Sequence, residues 1–408
     1  MLNSSMDFFA RICILSCLFS MISFQLINKI HASQNNAFNV QDYGAVGNGK
    51  SDDSTAFLKA WNETCSATTG TPTMIIPKGK TFLVHAIDFL GPCKSTTVYV
   101  QLSGTVKAPE DPSAWKDHDV AKWLGFEGIK GLNIVGFGQL DGSGQKWWDQ
   151  SCRYRPGLKA LVFRECKSVN MSNIFLVSSP KTHIHVMSSQ YVYFKSLVIR
   201  SPETSPNTDG IHISDSDNVW VQASTFESGD DCVSIGESTT NIHVGYCNCG
   251  PGHGMSIGSL GRTNGKEVHV ENITIKHIQF NQTTNGGRIK TWQTGTGQVR
   301  NVEFSNLQFT KVKNPLIIDQ YYCDVANPCK ATKTGVKISN VRYMKAFGTT
   351  TTPVAAINLE CSENVPCTNI TLEDVKLESA FPNTEVTSSC NNAFGYAKGI
   401  MEPKSCLK

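Results

Sequence analysis

From about Val169 onward the chain alternates apolar and polar positions in short β-branched runs, such as Ile273-Thr274-Ile275 and Val302-Glu303-Phe304, without a sustained helical period. Most runs open on a polar residue followed by Val or Ile. The starts Asn218-Val219, Asn241-Ile242, Asn272-Ile273, Asn301-Val302, Gly335-Val336 and Asn369-Ile370 are separated by 23, 31, 29, 34 and 34 residues. A spacing near 23 residues is too short for a strand–helix–strand unit, which takes about 30 or more. It suits one coil of a solenoid of short strands, with the longer steps being coils that carry loops. A β-sandwich is the rival, but its strands recur every 8 to 12 residues or so and its turns need no longer period. The pattern therefore predicts an all-β solenoid in which the opening asparagines occupy equivalent turns and stack as a ladder of amides. Near the start, the amphipathic segment from Ser54 to Cys65 predicts a short helix that caps the open end, where a bare terminal coil would expose strand edges.

Before this region, an apolar run from Ile12 to Phe24 follows Arg11 and precedes the small residues Ala32 and Ser33, which reads as a signal peptide over residues 1–32. A run of thirteen residues, three of them serine, falls short of the roughly 20 that span a bilayer, so no membrane association is expected after its removal. The remaining residues 33–408 are expected to form one domain, because a solenoid grows linearly and escapes the size limit of a single compact core. Thirteen of the 15 cysteines remain after residue 32, and in an exported chain they favour disulfides over metal thiolates. Cys323 with Cys329 and Cys361 with Cys367 are spaced as small clipped loops. The sequons at Asn62, Asn170, Asn272, Asn281 and Asn369 agree with a secreted, extracellular glycoprotein. A formal charge of +3 over 408 residues permits an acidic polymer as partner without requiring one. The absence of a Lys/Arg cluster interleaved with aromatics argues against a nucleic-acid partner.

Three motifs fall one coil apart: Asn207-Thr208-Asp209, Gly229-Asp230-Asp231-Cys232 and Gly252-His253-Gly254, with 22 residues from Asp209 to Asp231 and 22 from Asp231 to His253. On a solenoid, residues one period apart stack about 4.8 Å from each other, so these groups form one site. Asp230 and Asp231 would point to opposite faces of a regular strand, and Gly229 permits the bend that brings both to one side. Repulsion between such carboxylates raises at least one pKa, leaving one acid protonated beside one ionised, as glycoside cleavage requires. Arg288 and Lys290 alternate on one strand face and offer a fork and a point charge to a substrate carboxylate. Tyr322, 32 residues beyond Lys290, offers a sugar contact. Asp215 and Asp217 read as turn residues. His183 and His185 share a face, but no third metal ligand lies near them. Cys232 with Cys247 and Cys249 reads as disulfide chemistry rather than a thiolate site. Trp147, Trp148 and Trp292 suit sugar stacking or core packing equally.

These residues resemble the polygalacturonase family of glycoside hydrolases, particularly its plant members. The resemblance runs from Phe38-Asn39-Val40 to the region of Cys361 and includes Ser205-Pro206-Asn207-Thr208-Asp209-Gly210, Gly229-Asp230-Asp231-Cys232, Gly250-Pro251-Gly252-His253-Gly254, Arg288-Ile289-Lys290 and Ile318-Asp319-Gln320-Tyr321-Tyr322-Cys323. It implies a right-handed parallel β-helix that hydrolyses the α-1,4 bonds of polygalacturonate in pectin with inversion, and needs neither metal nor organic cofactor. It implies further that Asp230 protonates the leaving oxygen, that Asp209 and Asp231 activate water, and that His253 tunes the acid. Asn207, Arg288, Lys290 and Tyr322 are the implied substrate contacts. The stretch Arg288 to Gln293 resembles internally cutting members; exo action and hydrolysis of a substituted galacturonan stay open. A calcium-dependent pectate lyase and a non-catalytic wall-binding solenoid are the rivals from other classes, and a monomer is expected. Two features depart from the family. Gly287 stands where Val commonly precedes Arg-Ile-Lys, which predicts a looser strand and weaker substrate grip. Cys247 is left over if Cys65 pairs with Cys93, Cys152 with Cys166, Cys232 with Cys249 and Cys390 with Cys406.

Overall fold

The computed structural model describes residues 36–115, 121–150, 158–262, 267–324, 329, 332–351 and 355–408; the expected signal peptide, residues 1–32, lies outside them. Among the described residues the chain winds into a right-handed parallel β-helix whose strands form one sheet of twenty and one of eleven, every neighbouring pair parallel. The inward positions stack in register. Ile211, Val233 and Met255 lie above one another on three successive coils, as do Ile242, Ile273, Val302, Val341 and Ile370. Each is at most 1% exposed, so the strands bury one face completely in a continuous apolar core. Aromatic rings extend the stacking, for example Phe304 on Tyr343 with centroids 5.0 Å apart and Phe280 on Phe309 at 5.1 Å.

The helix α1, Ser54–Ser66, buries Ala56, Phe57, Ala60 and Trp61. Their spacing places them on one stripe. Trp61 meets Phe89 and Phe126 edge-on at 5.4 and 5.7 Å, and Phe57 meets Phe82 at 5.5 Å. The helix therefore closes the first coils with its apolar face, as expected.

The asparagine ladder is present from Asn241 onward, with one change of phase; Asn218 instead donates to Asp217, which also accepts from Asn241 at 2.8 Å. Asn272 donates to Asn241 at 3.1 Å, Asn301 to Asn272 at 3.1 Å, Asn340 to Asn301 at 2.7 Å and Asn369 to Asn340 at 3.3 Å. Asn340, not Gly335, opens the fifth repeat. The true steps are 39 and 29 residues, because a loop precedes the strand and hides its phase. All five have φ between 54 and 59°, a left-handed conformation that asparagine tolerates better than most side chains. One residue type thus supplies both the turn and the ladder. The sequon asparagines Asn62, Asn170, Asn272, Asn281 and Asn369 are all exposed.

Disulfides join Cys65–Cys93, Cys232–Cys249, Cys323–Cys329, Cys361–Cys367 and Cys390–Cys406. Cys247 is a buried free thiol, as its surplus implied. Cys166 is also free rather than paired with Cys152, which lies outside the described residues; its thiol faces the Phe126 carbonyl at 3.3 Å.

Candidate active site

Six consecutive strands of the eleven-stranded sheet carry the site: β1 (Ile184–Met187), β2 (Ile211–Ser214), β3 (Val233–Ile235), β4 (Met255–Leu260), β5 (Asn285–Trp292) and β6 (Asn314–Tyr322). Asp209, Asp231 and His253 each stand two residues ahead of β2, β3 and β4, whose first residues are in register. The 22-residue spacing therefore places them in one column. Asp230 and Asp231 lie in a bend before β3 rather than within it, so strand alternation does not separate them. A Cβ on Gly229 would sit 1.9 Å from the Ser205 carbonyl oxygen, and only glycine allows that approach. Asp230 fixes the bend by accepting from the Asp231 amide at 2.8 Å.

These acids line a cleft of about 640 Å³ together with Asn207, His253, Arg288, Lys290 and Tyr322. The structure thus assembles every site residue expected from sequence, and their partners differ sharply. Asp231, 1% exposed, accepts through Oδ1 from Ser256 Oγ and Arg288 Nη2, each at 2.7 Å, and through Oδ2 from Lys290 Nζ at 3.0 Å. Burial alone would raise its pKa, but Lys290 and Arg288 outweigh that and hold it down at about 2. Asp209 moves the other way. Burial at the cleft floor, then Asp230 and Asp231, push it up to about 8 against one bond from Ser234 Oγ at 2.7 Å. Asp230 accepts from His253 Nδ1 at 3.0 Å and from Asn207 Nδ2 at 3.2 Å. That bond to Asp230 raises the proton affinity of His253. The cleft therefore holds an ionised carboxylate, a proton-retaining carboxylate and an imidazole–carboxylate pair side by side, which is equipment for moving protons at a bond between them.

Arg288 and Lys290 share a face as expected, and both are bonded to Asp231. Arg288 is braced further by Nε on Ser256 Oγ at 2.9 Å. The Lys290 ammonium lies 5.3 Å from the Tyr322 ring centre, and that ring meets Trp292 edge-on at 5.7 Å. Trp147 packs in the core against Trp115 at 6.3 Å. Gly287 does not leave its strand loose: a Cβ there would lie 2.8 Å from the Phe304 ring, which fills the space a larger residue would occupy.

Ligand atoms of Asp230, Asp231 and His253 lie within 4.8 Å of one another, close enough to hold a metal ion. Asp230 and His253 are bonded to each other, however, and two cations already compensate Asp231. His183 and His185 do not converge on a common ligand point. His183 donates from Nδ1 to the Asp209 carbonyl at 3.0 Å and accepts at Nε2 from Ser201 Oγ at 2.9 Å, while His185 Nε2 meets Ser214 Oγ at 3.0 Å. Ser234, Ser256 and His212 are the site residues that sequence reasoning missed. Their signal was present: His212, Ser234, Ser256 and Arg288 occupy one register position on four successive strands.

A family model described as Glycosyl hydrolases family 28 matches residues 65–403. An Arabidopsis thaliana protein named a probable polygalacturonase is 40% identical over 374 residues, spanning 90% of this chain and 83% of its own. The polygalacturonase of Persea americana is 39% identical over 382 residues, spanning 91% and 81%. Among solved structures, the endo-xylogalacturonan hydrolase from Aspergillus tubingensis superposes with a TM-score of 0.74 over 89% of this chain and all of its own, at 22% identity; that likeness concerns the fold.

Proposed function

The chain belongs to glycosyl hydrolases family 28, and on that premise we propose that it hydrolyses the α-1,4 bonds of polygalacturonate, cutting within the pectin chain. The observation that carries the reading is the column of Asp209, Asp231 and His253 with Asp230 beside it, all opening into one cleft with Arg288 and Lys290. Asp230 is the proton donor to the leaving oxygen: protonated His253, whose Nδ1 lies 3.0 Å from its Oδ1, supplies the proton and is left as neutral imidazole, and the proton passes through Asp230 to the glycosidic oxygen as that bond breaks. Asp231 and, in its ionised form, Asp209 take the proton of the attacking water. Three of the roughly four acceptor sites of Asp231 are filled by Ser256, Arg288 and Lys290, leaving one on Oδ2 for water. A carboxylate so restrained orients water better than it attacks carbon, which supports inversion. Arg288, Lys290, Asn207 and Tyr322 contact the sugar and its carboxylate.

Residues 33–408 form the catalytic unit, exported after loss of residues 1–32 and acting as a monomer on extracellular pectin. Five disulfides among the described residues support that destination; no helix of those residues is long and apolar enough to cross a membrane.

The purified protein is incubated with polygalacturonate and a chelator, following reducing ends, ultraviolet absorbance, viscosity and product length. New reducing ends without absorbance, an early fall in viscosity and an inverted first product anomer by NMR are expected. Absorbing ends would mark elimination, and monomer as the first product would mark terminal cutting.

A further inference from the structure

We propose that Ser234 and His212 are positioning residues for Asp209, joined to it in a hydrogen-bonded relay that orients its carboxylate and favours its ionised form. This rests on the reading above, in which Asp209 helps take the proton of water. Ser234 Oγ on β3 lies 2.7 Å from Asp209 Oδ2 and 2.7 Å from His212 Nδ1 on β2. His212 and Ser234 are register partners one coil apart, so the pleat itself sets their spacing.

Stoichiometry fixes the direction of the relay. A hydroxyl has one proton. When Asp209 is ionised its Oδ2 can only accept, so Ser234 gives its proton to Asp209 and Ser234 Oγ must accept from His212 Nδ1–H. The ring is neutral, its proton affinity held down to about 4 by burial and then by Lys159, so Nε2 carries no proton. The members are those of a nucleophilic triad, but the hydroxyl here donates to the carboxylate instead of to the imidazole, so no base activates it. His185 holds the far side: its ring centre is 4.9 Å from that of His212, and its Nε2 is tied to Ser214 Oγ at 3.0 Å. Asp230, Asp231 and Lys290 face Asp209, while Asp231, Lys290, Asp215, Lys159 and His185 surround His212. Two neighbouring carboxylates oppose ionisation of Asp209, and the Ser234 bond works against them. Where Asp231 leans on two cations, Asp209 leans on a hydroxyl whose lone pair is oriented by a histidine.

The test measures kcat/KM on polygalacturonate against pH for the intact protein and for Ser234→Ala, His212→Leu, His212→Asn and Asp209→Asn, with thermal melting of each. Ser234→Ala removes a bond to an ionised group, so the acidic limb should move up by about one pH unit, a roughly tenfold loss of rate at its foot. His212→Leu should move it the same way by less. His212→Asn, whose amide N–H stands near the Nδ1 position, should return it towards wild type. A limb at the wild-type pH in both Ser234→Ala and His212→Leu, with Asp209→Asn inactive, overturns the relay and leaves the catalytic reading standing. Wild-type activity in Asp209→Asn overturns the reading and the relay together.

Discussion

The asparagine ladder and the acid column are built on the same lattice: side chains at equivalent turns of successive coils, stacked one coil apart. In the ladder each inner amide, Asn272, Asn301 and Asn340, donates to one neighbour and accepts from the next, so stacking satisfies it. In the column, Asp209 and Asp231 oppose each other's ionisation, and each needs a partner from outside the column. Complementary groups in register yield stability. Conflicting groups in register yield shifted proton affinities, which strands β3 to β5 must restrain with Ser234, Ser256, Arg288 and Lys290.

The sharpest way to break the contrast is Lys290→Met, which keeps the volume but removes one of the two cations on buried Asp231. Breaking a buried pair costs about 3–5 kcal/mol, to be read from denaturant unfolding at neutral pH. Because Asp231 has a depressed pKa, the stability it contributes is present above its ordinary range and lost as pH falls towards 2. Lys290→Met should flatten that acid loss.

Asp209→Asn probes the opposite sign. A carboxyl raised to about 8 contributes stability that is full below its ordinary range and drains away as pH rises through 8. The amide does not titrate, so the variant should match wild type near pH 4 and exceed it on the order of 1–3 kcal/mol towards pH 9. Parallel melting curves at both pH values would show that Asp209 is not strained by its neighbours.

Gly287→Val drives a larger side chain into Phe304. A cost of about 1–3 kcal/mol is expected from overpacking, relieved when Phe304→Leu is added. The smallest effect belongs to the ladder. Asn301→Ala loses a bond on each side and places alanine at a φ of 57°, costing about 1–2 kcal/mol with kcat unchanged.

The periodic part of this molecule was legible because its physics is periodic. The 22-residue spacing of Asp209, Asp231 and His253 and the recurring asparagines both follow from one residue per coil per position. The Gly335 start was misplaced because a loop of arbitrary length precedes Asn340, and loops carry no phase. Ser234, Ser256 and His212 escaped notice because short polar residues alternate along any half-buried strand; only the register joins them to the acids. The filling of the Gly287 gap by Phe304 was equally hidden, since the two positions meet only through the core. The proton on Asp209 could not be read from spacing, because burial and neighbouring charge decide it.

Asp230 as the acid beside this column is tested most directly by turnover of polygalacturonate by Asp230→Asn, with melting temperature and circular dichroism taken on the same sample. The amide keeps the shape and the Asn207 and His253 neighbours but has no acidic proton to give. A protein folded as wild type with kcat lowered about 10²- to 10⁴-fold is expected. A folded variant with near wild-type kcat would contradict it and remove Asp230 from the acid role.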